Sequence, residues 1–207
     1  MFPSLFGFIK ALRLFFGHDS FLVKTGFLRS CAEGHPCRKD GTPLPWMNYA
    51  IICFLEERLK PSLSMFEYGS GYSTLFFAGL VGSVVSVESD RYWYEKLRPK
   101  CPENVNLIHQ PFELGNTYSR LVSSAGRKYD IVVIDGHARE ECIVNACLAL
   151  TRQGVILLDD THRRFPEIDQ HLSRAGFMSI EFEGLKPGGI TVDRASLFYR
   201  KNNCLGI

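Results

Sequence analysis

The chain has 207 residues, of which 45% are hydrophobic and 22% charged, and its formal net charge is +2. These values are typical of one soluble globular domain, and without a Lys/Arg run or alternating basic and aromatic residues nothing indicates a nucleic-acid partner. Seven cysteines, an odd number with no Cys-x-x-Cys pair, argue against a disulfide framework and predict a reducing, cytoplasmic location.

The first predicted element is a helix over residues 1–17, and its part at 2–16 is crowded with aromatic and aliphatic side chains. Lys10 and Arg13 are the only charged side chains in it. The segment is too short to span a bilayer and lacks the small-residue cleavage site of a signal peptide. Two interpretations stay open: a helix packed on the domain or on a partner subunit, and an interfacial helix that makes peripheral membrane contact.

Residues 18–45 contain several glycines and prolines and predict an irregular segment. A helix is predicted next, from Pro45 to Leu59, because proline suits a first helical turn. We therefore divide the chain into an N-terminal helical and irregular extension over residues 1–44 and one larger domain over 45–207.

From residue 64 onward, apolar runs alternate with helical segments. Runs such as 131–134 and 155–158 are apolar at every position, which is typical of parallel strands covered by helices on both faces. The pattern predicts an α/β fold with a three-layer, Rossmann-like, doubly wound and mostly parallel sheet. The predicted strands are 64–68, 84–88, 105–109, 130–134, 154–158, 177–183 and 196–200; the predicted helices are 72–81, 91–99, 117–127 and 138–151, and one between Pro166 and Gly176.

The stretch from Phe66 to Thr74 predicts a strand that breaks into a glycine turn and then opens a helix. Glu88 follows Glu67 by 21 positions (88 − 67), at the end of the next apolar run. An acid at the tip of the second strand of a βαβ unit holds the ribose hydroxyls of a bound nucleotide. The sequence therefore predicts an adenosine-containing cofactor.

Two residues favour S-adenosylmethionine (SAM) over a nicotinamide dinucleotide. The third small position of the dinucleotide fingerprint is occupied by Thr74, which is too bulky for close packing of the helix on the strand. Glu67 precedes the glycines, where its carboxylate would repel a pyrophosphate but suits the cationic methionine end of SAM.

Acidic residues also end the predicted parallel strands, whose carboxyl ends meet at one rim, where α/β sheets bind ligands. Ordinary turn chemistry accounts for one or two of them. We therefore expect a site at this rim, formed by Glu67, Glu88, Asp135, Asp159 and Asp160.

These motifs together resemble those of class I SAM-dependent methyltransferases. The resemblance covers about residues 45–200 and implies a seven-stranded sheet of order 3-2-1-4-5-7-6 with the seventh strand antiparallel, so that 45–207 is a methyltransferase domain. The segment that starts at Pro43 is similar to a poorly characterised bacterial branch of that class, and the acidic motifs resemble those of catechol-type O-methyltransferases. The motifs are Glu67-x-Gly69-x-Gly71-x-Ser73, Glu88, 129–136 and 154–160.

The resemblance further implies the roles of site residues. The glycine turn contacts the methionine part of SAM, Glu88 holds the ribose, and residues 110–113 flank the adenine. In that segment Glu113 is the nearest acid to the adenine amine, and Phe112 either stacks on the adenine or belongs to the core. The implied cofactor-binding set is Glu67, Gly69, Ser70, Gly71, Ser73, Glu88, Phe112 and Asp135.

Asp135 and His137 are the candidate catalytic residues, because they follow the fourth strand and either could take a proton from an acceptor. Asp135, Asp159 and Asp160 resemble the ligand set of a metal-dependent O-methyltransferase, and hard oxygen ligands suit Mg²⁺. The alternative is that Asp159 and Asp160 cap the segment 161–164.

We therefore expect a SAM-dependent methyltransferase that acts on a small-molecule oxygen or nitrogen acceptor. SAM is the expected cofactor, and the resemblance of the acidic motifs adds Mg²⁺ as a candidate second one. Two alternatives stay open: a non-catalytic SAM-binding or membrane-associated module, and an NAD-dependent oxidoreductase.

Overall fold

The computed structural model describes residues 5–112, 117–124, 126–161 and 166–207. Seven strands form one open sheet in the order β3-β2-β1-β4-β5-β7-β6, which confirms the predicted order. Strands β1 to β5 pair in parallel, and β7 runs antiparallel to both β5 and β6. The strands are β1 (Ser64–Tyr68), β2 (Ser83–Glu88), β3 (Val105–His109), β4 (Tyr129–Ile134), β5 (Leu150–Leu158), β6 (Met178–Leu185) and β7 (Val192–Tyr199).

Helices cover both faces of the sheet. The helices are α1 (Leu5–Phe16), α2 (Phe21–Lys24), α3 (Phe27–Glu33), α4 (Tyr49–Glu56), α5 (Tyr72–Ala78), α6 (Arg91–Leu97), α7 (Thr117–Ser124), α8 (Arg139–Ala149) and α9 (Pro166–Arg174), and a 3₁₀ turn follows α6 at Arg98–Lys100. Within the ranges given above, no helix has both the length and the apolar character needed to cross a membrane.

One apolar core lies on each side of the sheet, and β4 contributes to both. Ile131 and Val133 pack with residues of α3, α4 and α5, whereas Val132 and Ile134 pack with residues of α7, α8 and α9. All four side chains are fully buried. This explains why the run is apolar at every position: neither face of the strand meets water.

The segment 18–45 is more regular than predicted, since it contains α2 and α3. Its glycines delimit short helices instead of preventing them: Gly26 and Gly34 flank α3 with φ of 83° and 67°. Phe27 and Leu44 belong to the same core as the sheet, so apolar packing continues across residue 44. The domain division at that residue stays a prediction.

Helix α4 begins at Tyr49 rather than at Pro45, which corrects the predicted start. The Asn48 side chain accepts a hydrogen bond from the Ile51 N–H at 3.1 Å and therefore caps the helix. Proline fixes φ but offers no such acceptor, and the helix starts where a side-chain cap is present.

Candidate functional site

A cleft of about 350 Å³ opens at the carboxyl edge of the parallel strands. Its walls are the turns that follow β1 and β4, the end of β2, and the first turns of α5 and α6, and Pro36 and Trp46 line it from the N-terminal side. Ladder bonds continue beyond the strands: the Gly69 N–H donates to Val87 O and the Asp135 N–H to Tyr68 O, both at 2.9 Å. The floor of the cleft is therefore formed by backbone that these hydrogen bonds hold in place.

The turns after β1 and β4 approach each other so closely that glycine is required in both. Gly69 has φ of 87°, and a Cβ there would meet the carbonyl oxygen of Asp135 at 2.6 Å. A Cβ on Gly136 would meet the hydroxyl of Tyr118 at 2.1 Å. Because both positions lack a side chain, the backbone of the two turns and the Tyr118 hydroxyl can pack this closely.

Glu88 ends β2, lines the cleft and is 7% exposed. Its Oε2 accepts from the Ser70 N–H at 3.1 Å and its Oε1 from the Asp90 N–H at 2.8 Å. Burial raises the pKa of Glu88, and the backbone donors of Asp90, Ser89 and Ser70 act in the opposite direction. Each carboxylate oxygen has a second acceptor direction, so Glu88 can still accept hydrogen bonds from a ligand.

The glycine turn is held from two further sides. The Trp93 indole Nε1–H donates to Ser70 O at 2.8 Å, and Thr74 Oγ1 accepts from the Gly71 N–H at 3.0 Å. Together with the hydrogen bond from the Ser70 N–H to Glu88, these contacts fix the conformation of the turn without a ligand. Trp93 has no sequence signal of its own, because its contact depends on how α6 packs.

Glu67 lies behind the turn and is fully buried. Its Oε1 accepts from the Ser73 hydroxyl at 2.6 Å, and its Oε2 accepts from the hydroxyls of Thr74 and Ser86 at 2.5 Å each. Burial raises the pKa of Glu67 from 4.5 to about 7, against the lowering by these hydroxyls. Ser73 lines the cleft, and the Ser86 hydroxyl is 2.6 Å from that of Ser70, which also lines it, so these contacts connect Glu67 to the cleft through hydroxyl groups.

We expect the Glu67→Gln variant to lose a large part of the pH dependence of folding stability. Because the pKa of Glu67 rises from 4.5 to about 7 in the folded state, this group stabilises the fold most below pH 4.5, and the contribution is lost as pH rises through 7. At about 1.4 kcal/mol per pKa unit, the loss is roughly 3 kcal/mol. Urea unfolding of both proteins across this pH range measures it.

The exposed Glu103→Gln variant is the matched control and should keep the wild-type pH dependence. If the free energy of unfolding changes with pH in the same way for wild type and Glu67→Gln, then Glu67 has the same pKa in the folded and the unfolded protein. That result would contradict the prediction.

Three acids meet beyond the turn after β4. Carboxylate oxygens of Asp135, Asp159 and Asp160 lie within 4.8 Å of one another. Arg139, at the start of α8, lies among them: its Nη2 is 3.3 Å from Asp135 Oδ1 and 3.0 Å from Asp160 Oδ2, and its Nη1 donates to Asp159 O at 2.7 Å. The fold thus brings together the predicted metal ligands, and a guanidinium bridges two of them.

Lys186, after β6, adds a second cation to this cluster. Its Nζ is 3.2 Å from Asp193 Oδ1 and 3.7 Å from Asp160 Oδ1. Burial lowers the pKa of Lys186, but Asp193 and Asp160 outweigh it and raise the pKa overall. Arg139 and Lys186 therefore already supply positive charge to the acids.

Burial raises the pKa values of Asp135 and Asp159. Asp160 raises that of Asp135 further, whereas Arg139 lowers it. Asp159 is 2% exposed and its Oδ1 has no hydrogen-bond partner within the described residues; the nearby Asp135 raises its pKa as well. Both carboxyl groups therefore hold a proton more tightly than an exposed aspartate does.

His137 and Phe112 form a stacked pair beside the cleft. Their ring centroids are 5.0 Å apart with an interplanar angle of 25°, and Phe112 meets Tyr118 edge-on at 6.0 Å. Phe112 is 47% exposed, so it does not belong to the core. His137 is exposed and lines the cleft.

The predicted site residues fall into three groups. Seven line the cleft: Gly69, Ser70, Gly71, Ser73, Glu88, Asp135 and His137. Glu67 lies behind the turn, and Phe112 lies beside His137. Asp159 and Asp160 form the third group, and both contact Arg139. Glu113 and residues 162–164 lie outside the described residues. What each residue binds stays a prediction.

Sequence reasoning missed several residues that form this site. Arg139 had a usable signal, because it is a cation only four positions after Asp135 in the segment that follows the fourth strand. Pro36, Trp46, Trp93 and Tyr118 had none, since each reaches the cleft by tertiary packing.

No protein-family profile matches the chain, and no curated protein matches it at significant similarity. Solved structures do match. The O-methyltransferase TomG from Streptomyces achromogenes, in complex with SAM, has TM-score 0.55 and 18% identity over 71% of this chain and 77% of that chain. An rRNA methylase from Streptococcus thermophilus has TM-score 0.53 and 16% identity over 72% of this chain and 92% of that chain.

A third structure is described as precorrin 8W decarboxylase from Methanobacterium thermoautotrophicum, with TM-score 0.53 and 19% identity over 81% of this chain and 97% of that chain. The three descriptions name different reactions, and one fold can host many. At these identities the likeness establishes the architecture. The chain therefore has the Rossmann-like fold of class I SAM-dependent methyltransferases, with the seven-stranded order 3-2-1-4-5-7-6.

Proposed function

We propose that the protein is a SAM-dependent methyltransferase that moves a methyl group to a small-molecule oxygen or nitrogen acceptor. One observation carries the cofactor assignment: Glu88 is buried at the tip of β2, anchored by two backbone N–H groups, with acceptor directions left toward the cleft. A vicinal pair of ribose hydroxyls is a donor set that this carboxylate suits.

The glycine turn supports SAM against a dinucleotide. A pyrophosphate would need free backbone N–H groups at the start of the helix that follows the turn. The Ser70 N–H is taken by Glu88 and the Gly71 N–H by Thr74. These two donors are unavailable to phosphate oxygens. The methionine end of SAM carries an ammonium, a sulfonium and one carboxylate, so its net charge is positive and it depends less on such donors than a pyrophosphate does.

The N-terminal side of the cleft supports a small acceptor. Trp46 and Pro36 line the cleft there, and the Trp46 Nε1–H donates to Pro187 O at 3.0 Å. This bond joins the segment before α4 to the β6–β7 connection. The cleft volume of about 350 Å³ lies in the range of a site for one small molecule, so SAM would fill much of it and an acceptor would enter beside Trp46 and Pro36.

SAM supplies a methyl group on a positively charged sulfur, and transfer breaks the carbon–sulfur bond while a new bond forms from the acceptor to the methyl carbon. The chain has to hold the acceptor in line behind that carbon, and orientation of this kind lowers barriers by up to roughly 7–11 kcal/mol. It also has to remove the acceptor proton. Asp135 and His137 line the cleft and are the candidate bases.

The acid cluster as it stands does not fit Mg²⁺. A metal between Asp135 and Asp160 would meet the Arg139 guanidinium, which lies 3.3 Å and 3.0 Å from their oxygens. A cation brought near Arg139 and Lys186 would also be repelled. We therefore assign the charge balance of this cluster to Arg139 and Lys186, and we expect turnover without added metal.

Calorimetric titration with S-adenosylhomocysteine, with NADH in parallel, tests the proposal. We expect micromolar binding of S-adenosylhomocysteine alone, because only it matches Glu88 without needing the two occupied N–H groups. NADH binding alone would overturn the cofactor assignment in favour of a dinucleotide enzyme. Binding of neither would overturn it in favour of a module without this cofactor.

A further inference from the structure

Helix α1 leaves its large apolar side chains exposed to solvent. Within the described residues, seventeen large hydrophobic side chains are exposed, and nine of them lie between residues 5 and 21. α1 has no buried residue. The eight on α1 itself are Leu5, Phe6, Phe8, Ile9, Leu12, Leu14, Phe15 and Phe16, with exposures from 40% to 79%.

Six of these eight side chains form a continuous apolar surface, and Phe6 and Leu14 lie on the side of Lys10 and Arg13. Leu5, Ile9, Leu12 and Phe16 follow the spacing i, i+4, i+7 and i+11 and share one side of the helix, and Phe8 and Phe15 adjoin that side. Scattered exposed leucines are ordinary on a protein surface, but a contiguous patch of this size marks an interaction site.

The charges of the same segment have one sign. Lys10 and Arg13 are exposed, and residues 1–18 contain no Asp or Glu. The first acid of the chain, Asp19, pairs with Lys24 at 2.8 Å. Neither Lys10 nor Arg13 forms an ion pair within the described residues. The helix therefore presents an apolar surface edged by two uncompensated cations.

We propose that α1 binds an anionic lipid surface, with its apolar side in the acyl boundary and Lys10 and Arg13 at the headgroups. Interfacial helices combine an apolar face with lysine and arginine, whose long side chains reach back to the polar layer. A second copy of α1 fits less well, because it offers no carboxylate to these cations. At 12 residues the helix is about 18 Å long, which suits a position along the surface.

Co-sedimentation with vesicles tests the inference, which does not depend on the proposed function. The full chain is mixed with phosphatidylcholine vesicles that contain 30% phosphatidylglycerol, and with pure phosphatidylcholine vesicles. We expect binding to the anionic vesicles that weakens as salt increases, because headgroup attraction is screened within a Debye length. Binding to pure phosphatidylcholine should be at least tenfold weaker, since the attraction of both cations to the headgroups is lost.

Two variants separate the contribution of the apolar side chains to vesicle binding from the contribution of the two cations. Phe8→Glu/Phe15→Glu should reduce binding to the anionic vesicles on the order of a hundredfold, because two aromatic side chains no longer enter the lipid. Lys10→Gln/Arg13→Gln should reduce it about tenfold and remove most of its salt dependence.

Val144→Glu/Leu148→Glu on α8 is the matched control, since it places two acids on exposed apolar positions of another helix, 46% and 64% exposed. It should bind the anionic vesicles at least tenfold more tightly than Phe8→Glu/Phe15→Glu does, because it leaves α1 unchanged. Circular dichroism melting curves establish that each variant is folded.

Failure of the wild-type chain to sediment with anionic vesicles would overturn the proposal. So would wild-type binding by Phe8→Glu/Phe15→Glu. If light scattering shows a wild-type dimer that this variant converts to a monomer, and the vesicles capture neither protein, then α1 is covered by a second copy and the lipid assignment is wrong.

Discussion

Replacement of Glu88 by alanine should weaken the binding of S-adenosylhomocysteine on the order of a hundredfold. In the proposed complex, two ribose hydroxyls donate to a carboxylate that is 7% exposed. Hydrogen bonds to a charged acceptor are worth about 1.5–3 kcal/mol each, and about 1.4 kcal/mol is a factor of ten in affinity. Calorimetric titration of both proteins measures the change.

Two further variants control this result. Glu88→Ala also leaves the Ser70 and Asp90 N–H groups without their acceptor, whereas Glu88→Gln keeps the side-chain shape and one carbonyl acceptor. We expect roughly tenfold weakening for Glu88→Gln, and wild-type affinity for Glu95→Ala, a change at an exposed α6 residue that pairs with Arg91. Wild-type affinity in both Glu88 variants, with unchanged melting curves, would remove Glu88 from ribose binding.

Strand positions could be predicted wherever burial alone determines them. β1 lies where predicted, at residues 64–68, because it is buried on both faces and Gly69 ends it. β5 begins at Leu150 instead of 154, and the sequence there, Thr-Arg-Gln-Gly, is polar. Its first residue pairs with Tyr129 on β4. Residues 151–154 lie in a register shift between that pair and the Ile131–Val155 pair, so this polar strand end leaves no hydrophobic pattern to find.

The β6–β7 hairpin differs from the prediction for the same reason. β7 starts at Val192 rather than at 196, and it pairs with β6 along its whole length, up to Leu185 opposite Val192. Val192 is 61% exposed. The outer end of the hairpin is thus not part of the core, and its strands are fixed by backbone pairing and not by burial.

Within the site, positions at strand tips could be predicted, but side-chain environments could not. Glu88 lies at the tip of β2, as its spacing from the glycine turn indicates. The surroundings of Glu67 depend on Ser86, which is its register partner on β2, and on Ser73 and Thr74 of α5. Three hydroxyls from two elements meet one carboxyl group only once the sheet has formed.

The charge balance of the acid cluster is a second example. Asp135, Asp159 and Asp160 alone resemble a set of metal ligands. The positions of these acids in the sequence do not indicate which cation neutralises their charge. Arg139 reaches Asp160, 21 positions away, because α8 starts beside the end of β5. The cation that matters is thus a neighbour in space, and its presence changes the chemistry expected of the three acids.

The Asp135→Asn variant should slow methyl transfer about 10²–10⁴-fold for any acceptor that the wild type methylates, because it removes the proposed proton acceptor and keeps the side-chain shape. The fold should persist, since Arg139 retains Asp160 at 3.0 Å and the Asp159 carbonyl at 2.7 Å. Transfer of labelled methyl from saturating SAM over an acceptor panel measures the rate. The exposed Asp169→Asn variant should keep the wild-type rate.

The pH profile separates Asp135 from His137 as the base. Burial and the neighbouring Asp160 raise the pKa of Asp135, so a rate that needs its ionised form should fall with decreasing pH well before an ordinary aspartate, near pH 4, would be protonated. In Asp135→Asn this fall in rate, the acidic limb of the pH profile, should be absent. If instead Asp135→Asn keeps the wild-type rate and limb, while His137→Gln loses both, the base is the exposed imidazole and Asp135 is not the proton acceptor.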